Sequence, residues 1–180
     1  FTYGANAYSI RSVFLTQLGY IIGKDNLAKT IKRYYNEFKF RHPTPNDFKR
    51  VAEKVSDIEL EWYLNDWTRT TNKIDYEISS YDKASKRVLL KRKENMPMPL
   101  EILATFKDGS KKLYYIPVDL MFGSKKFNKD VVILDSWKWV SSEYSFFINE
   151  QEKTLVSLEI DPSKRLADIN QADNFFETSE

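Results

Sequence analysis

The sequence has no cysteine and a single histidine, His42. Without thiols there is neither a disulfide framework nor a thiolate metal site. A Ser-His or Cys-His nucleophile would have to recruit His42, and an H-E-x-x-H zinc helix needs two histidines. The surroundings of His42, Arg41-His42-Pro43-Thr44-Pro45, read as a loop ahead of a helix, where a solvated imidazole is the expectation. An excess of charge of either sign is lacking too: 28 basic residues stand against 26 acidic ones. A net charge of +2 gives no long-range field of the kind that gathers nucleic acid or a membrane surface, so neither partner is expected. No apolar run approaches the ~20 residues that span a bilayer. Phe1-Thr2-Tyr3-Gly4 lacks the basic start and apolar stretch of a signal peptide, so a targeting signal is expected to belong to a longer precursor. There is no phosphate-cradling glycine loop, and Gly109 in Asp108-Gly109-Ser110 reads as a hairpin glycine.

What is present is the composition of an ordered globular protein, with 42% apolar and 15% aromatic residues. The first ~75 residues carry the helical period and the remainder alternates. From Ala7 to Ile22 the positions Ile10, Val13, Phe14, Leu18, Ile21 and Ile22 recur at three- and four-residue spacings, and Gly23 stops the run. Leu27, Ile31, Tyr34, Tyr35 and Phe38 mark a second helix from near Asp25. Thr44-Pro45-Asn46-Asp47 is a third helix start, with Thr44 at the cap, Pro45 in the first turn and Asp47 at the positive dipole end. Ser56-Asp57-Ile58-Glu59 matches a capping box and predicts a fourth helix bearing Leu60, Tyr63, Leu64 and Trp67. Asp57, Glu59 and Glu61 then read as a solvated helix start rather than an acid/base pair.

Strand-like runs follow: Ile74 to Ile78, Arg87 to Lys91, Leu100 to Phe106, Lys112 to Pro117, Val131 to Leu134, Tyr144 to Asn149 and Thr154 to Ile160. The fold class is therefore α+β, a layer of about four helices followed by an antiparallel β-sandwich of about seven strands, of immunoglobulin or fibronectin type. The boundaries are 1–72 for the helical segment, 73–165 for the sandwich and 166–180 for a loosely held tail. Within the tail, Asp168, Asn170, Asp173 and Asn174 follow Asp161, but their spacing lacks the glycine and closing Glu of a calcium loop. Lys86-Arg87 and Lys91-Arg92-Lys93 read as solubilising strand-edge charge.

Trp137 and Trp139 alternate as if on one face of a strand. Such a pair either packs in the core or forms an aromatic platform for a sugar ring or a protein partner. A sandwich that binds through Trp137 and Trp139 is the alternative reading of the whole chain, and an independent hydrolase is a third.

The order of several segments resembles the zinc aminopeptidases of the aminopeptidase N family. Tyr8 precedes Gly23 by fifteen residues with an apolar helix between. There follow Tyr34-Tyr35-Asn36-Glu37-Phe38-Lys39-Phe40-Arg41-His42-Pro43-Thr44-Pro45-Asn46-Asp47-Phe48, then Ser56-Asp57-Ile58-Glu59-Leu60-Glu61-Trp62-Tyr63, Trp67-Thr68-Arg69-Thr70-Thr71 and Ile74-Asp75-Tyr76. The match covers Gly4 to about Tyr76, and the sandwich only in outline. The resemblance implies that residues 1–72 end a peptidase catalytic domain and that Tyr8 bonds the oxyanion of the tetrahedral intermediate. It implies a zinc ion and a helix glutamate supplied by an H-E-x-x-H segment that this sequence lacks, so no cofactor is expected here and zinc is expected in the parent. Ile10 and Arg11 stand where the family commonly has Lys and then Gly or Pro. The partners implied are the metal-binding part of the same chain and, for the parent, a peptide. Self-association through the helical half is expected if that part is missing. The compartment stays open, with the cell envelope or periplasm compatible with such a parent.

Overall fold

The computed structural model describes residues 11–128, 130–150 and 152–178. It divides into two compact units, one of residues 1–71 with 120–126, the other of 72–119 with 127–180. The segment 120–126 lies between two strands in sequence, yet it belongs to the helical unit.

Four helices build the first unit: α1 Arg11–Ile22, α2 Lys24–Phe38, α3 Pro45–Ser56 and α4 Glu61–Arg69. Gly23 separates the first two with a φ of 89°, which a side chain rarely tolerates. At the start of α3, Asp47 Oδ2 accepts the Thr44 amide at 2.7 Å and the Thr44 hydroxyl at 2.8 Å. The Thr44 bonds hold the Asp47 carboxyl below the ordinary aspartate range. The apolar stripes meet in a knot of rings to which every helix contributes. Phe14 on α1 stacks on Tyr63 of α4 at 5.0 Å and lies 5.9 Å from Trp67, while Tyr34 of α2 meets Phe48 of α3 edge-on at 5.1 Å.

The capping box expected at Ser56 is not formed. Ser56 ends α3, its hydroxyl donating to the Ala52 carbonyl at 2.8 Å, and Asp57 turns the chain in the left-handed region. The Glu59 amide is taken by the Met121 carbonyl at 3.0 Å, so α4 starts later, at Glu61. Thus Asp57 closes one helix and Glu61 opens the next. A tertiary partner from 120–126 overrides the local signal.

The second unit holds two sheets, so the α+β class stands. Strands β1 Tyr76–Asp82, β2 Arg87–Arg92 and β6 Glu143–Phe147 form one in the order β1-β2-β6. The other is β5-β4-β3-β7-β8, from β3 Leu100–Phe106, β4 Lys111–Ile116, β5 Val132–Ile133, β7 Leu155–Ile160 and β8 Phe175–Glu177. The pairings are antiparallel except β4 with β5, which is parallel. Alternation puts Tyr76 and Ile78 of β1, and Val88 and Leu90 of β2, into the core. Rings from both sheets meet there, Tyr114 of β4 lying 5.3 Å from Phe146 of β6.

The expected loose tail is part of this unit. Leu166, Asp168 and Asn174 are buried, and β8 pairs with β7 in register from Ser157 and Glu177 to Glu159 and Phe175. β8 is an edge strand held by its ladder to β7, with Phe175 left 52% exposed.

Candidate functional site

Tyr8 and Ile10 lie outside the described residues. What is described is the helix that follows them, and its entry is firmly held. Tyr63 on α4 donates its hydroxyl to the Phe14 carbonyl at 2.7 Å, one turn into α1, while its ring stacks on that of Phe14. Burial drives the Tyr63 phenol well above its usual range, so it remains a donor at any ordinary pH. At the other end of α1, Lys125 reaches from the 120–126 segment. Its Nζ donates to the Tyr20 carbonyl at 2.6 Å and sits 4.4 Å from the centre of the Tyr20 ring. A cation at the carbonyl end of a helix meets both an orphan acceptor and the negative pole of the dipole. Arg11, the first described residue of α1, is exposed.

A catalytic zinc needs three His, Cys or carboxylate ligands held together. His42 is exposed in the loop before α3. There is no cysteine, and among the described residues no three His, Asp or Glu side chains are grouped to hold a metal ion. These residues do not fit a catalytic zinc. Nor is any described helix long and apolar enough to cross a membrane.

The tryptophan pair is split. Trp137 is 3% exposed and lies in an isolated bridge to Val118, not in a strand. Its indole N–H donates to the Ser141 carbonyl at 2.9 Å, and its ring stacks on Tyr144 at 5.2 Å and meets Tyr76 edge-on at 5.5 Å. Trp139, in the turn that follows, is 49% exposed next to Val140. The shared face expected from their alternation does not exist, because the backbone here bends around the Asp119 carboxylate, which accepts the Trp139 amide at 3.0 Å.

Asp75 completes a grouping that motif reasoning missed. It is buried at the entry to β1, beside Asp168 and Asp173 from the last segment of the chain. Only Asp168, Asp173 and their neighbours were visible as a cluster in sequence, since Asp75 lies more than ninety residues away from them.

No protein-family model matches the chain, and no curated protein sequence does either. Its fold is similar to part of a solved structure, aminopeptidase A of Legionella pneumophila in complex with aspartic acid, with a TM-score of 0.58 and 16% identity. The likeness covers 91% of this chain and 17% of that one. At that identity it is a likeness of fold alone, and this chain spans only 17% of that one.

Proposed function

We propose that this chain is a non-catalytic C-terminal part of an aminopeptidase-like protein whose whole form removes N-terminal residues from peptides. The observation that carries the reading is the fold likeness, which takes in nearly all of this chain and only 17% of a bona fide aminopeptidase. The donor set agrees with it: one exposed imidazole and no thiolate leave the metal chemistry to another part of the parent. In the parent, zinc would polarise the scissile carbonyl from a site built by the missing H-E-x-x-H part. Tyr8, three residues ahead of Arg11 in sequence, would present its phenol to the developing oxyanion. For the second unit we propose a fibronectin-type sandwich. The strand orders β1-β2-β6 and β4-β3-β7-β8 favour it, with β5 added at the edge.

In a form that lacks the metal-binding part, the helical unit is the expected site of self-association. It leaves Ile31 45%, Tyr35 66%, Phe40 101% and Phe122 85% exposed, a set of large apolar side chains that water covers poorly.

The test compares this chain with the longer reading frame that contains it. The chain alone should bind no stoichiometric zinc and should not hydrolyse aminoacyl-coumarin amides. The longer protein should do both, and Tyr8→Phe should lower its kcat about 100-fold or more, as loss of an oxyanion donor does. Turnover or tight zinc binding by the chain alone would sink the reading.

A further inference from the structure

The entry to β1 is the point where the end of the chain is fastened. Ile74 accepts the Ile169 amide at 3.0 Å, and the Tyr76 amide donates to Asp168 Oδ2 at 3.0 Å. Asp75 stands between those two residues. It is 8% exposed, and its Oδ1 is buried with no hydrogen-bond partner among the described residues.

The charged groups around Asp75 come from each element packed there. The last segment supplies Asp168, 7% exposed, and Asp173. The residues after β2 supply Lys93 and Glu94. Lys93 is already engaged, its Nζ lying 2.8 Å from Asp173 Oδ2 and 2.7 Å from Glu77 Oε2 of β1. Arg92 at the end of β2 acts on the Tyr76 phenol rather than on Asp75.

The two buried aspartates differ in what they receive. Asp168 accepts the amides of Tyr76 and of Asn170, the latter at 2.9 Å, and these donors favour its charged form against the burial that raises its carboxyl above the ordinary value. Asp75 receives none. A buried carboxylate with no donor beside two like charges is costly, whereas the neutral acid in the same place is not.

We propose that Asp75 is a proton-held latch: neutral, it lets residues 166–178 dock on the sheet unit, and ionised, it repels Asp168 and Asp173 and loosens that strap. Burial first, then the Asp168 and Asp173 charges, push the Asp75 carboxyl above its ordinary value of 3.8. The sign follows from proton binding. The docked form holds the proton more tightly than the released form, so docking weakens as pH rises from 3.8 towards the raised value, and the loss is complete above it.

The experiment is residue-resolved hydrogen exchange on the full chain, corrected for intrinsic rates, from about pH 4 to about pH 8. Protection at 168–177 should fall as pH rises, while the amides of β2 and β3 keep theirs. In Asp75→Asn, which mimics the neutral acid, protection at 168–177 should be higher and its fall with pH smaller, the remainder belonging to Asp168. An unchanged pH dependence in Asp75→Asn, or a flat profile in the unsubstituted protein, would overturn the latch. A carbon-13 titration of the Asp75 carboxyl in the unsubstituted chain decides the point should the variant fail to fold. A midpoint above 3.8 supports the proposal, and one at or below it refutes it.

Discussion

Lys125 Nζ donates to the Tyr20 carbonyl across 105 residues of sequence, and it does so from a site only 5% exposed. The contact ties the 120–126 segment to the end of α1. A lysine is rarely this deep unless its charge is met, and here a helix-end carbonyl and an aromatic face meet it. Lys125→Met keeps the apolar stem and removes the donor. It is expected to cost about 2 kcal/mol, the range for a hydrogen bond to a charged group. Urea unfolding followed by helical circular dichroism measures this. A loss under about 0.5 kcal/mol would mean that the carbonyl finds water instead.

On α2, Ile31 and Tyr35 stand one turn apart and both face solvent. Self-association of this chain is therefore expected to depend on them. Light scattering across a concentration series should show mass above 21.3 kDa for the unsubstituted chain. The double substitution Ile31→Lys and Tyr35→Lys should return it to that mass with little change in stability, since neither side chain is in the core. A monomer at every concentration would remove the expected surface.

How far the sequence could be read depends on whether the deciding contact was local. The first strand runs were legible because they bury alternate side chains, as Tyr76 and Ile78 of β1 and Val88 and Leu90 of β2 do, and the third helix because Thr44, Pro45 and Asp47 meet within one turn. Ser56-Asp57-Ile58-Glu59 satisfied the same local rule and failed, since Met121 took the Glu59 amide. β8 was missed for a related reason: three residues of edge strand are held by β7 rather than by their own pattern. Of the candidate site, composition alone gives the lone histidine and the lack of cysteine. Asp75 was not, because only folding sets it beside Asp168.

Trp137 and Trp139 separate packing from recognition. Trp137→Ala empties a ring-lined site and is expected to cost about 3–5 kcal/mol of stability. Trp139→Ala should stay within about 0.5 kcal/mol, because half of that indole is already in water. Any sugar or protein bound through this region should depend on Trp139 alone. Acrylamide quenching of the two single-tryptophan forms at this pair checks the exposure directly. Equal quenching of both indoles would contradict the arrangement.

The phenols of the second unit fix how the protein behaves in alkali. Burial pushes Tyr76, Tyr114 and Tyr144 up to about 12 from an ordinary value of 10.0. Tyr76 is the best defined of the three, since its hydroxyl donates to the Met98 carbonyl at 3.2 Å and accepts the Met98 amide at 2.8 Å. The folded state thus keeps protons that the unfolded chain gives up, so ν is larger folded than unfolded and stability falls with rising pH. The loss should begin near 10, where unfolded tyrosine titrates, and run to about 12. Phenolate absorbance should appear in two steps, exposed tyrosines first and the buried set together with unfolding. Tyr76→Phe should flatten part of that decline, at a fixed cost below pH 10 from the Met98 amide left without its acceptor. A single phenolate step near 10, with the fold intact throughout, would mean that water reaches the Tyr76 hydroxyl.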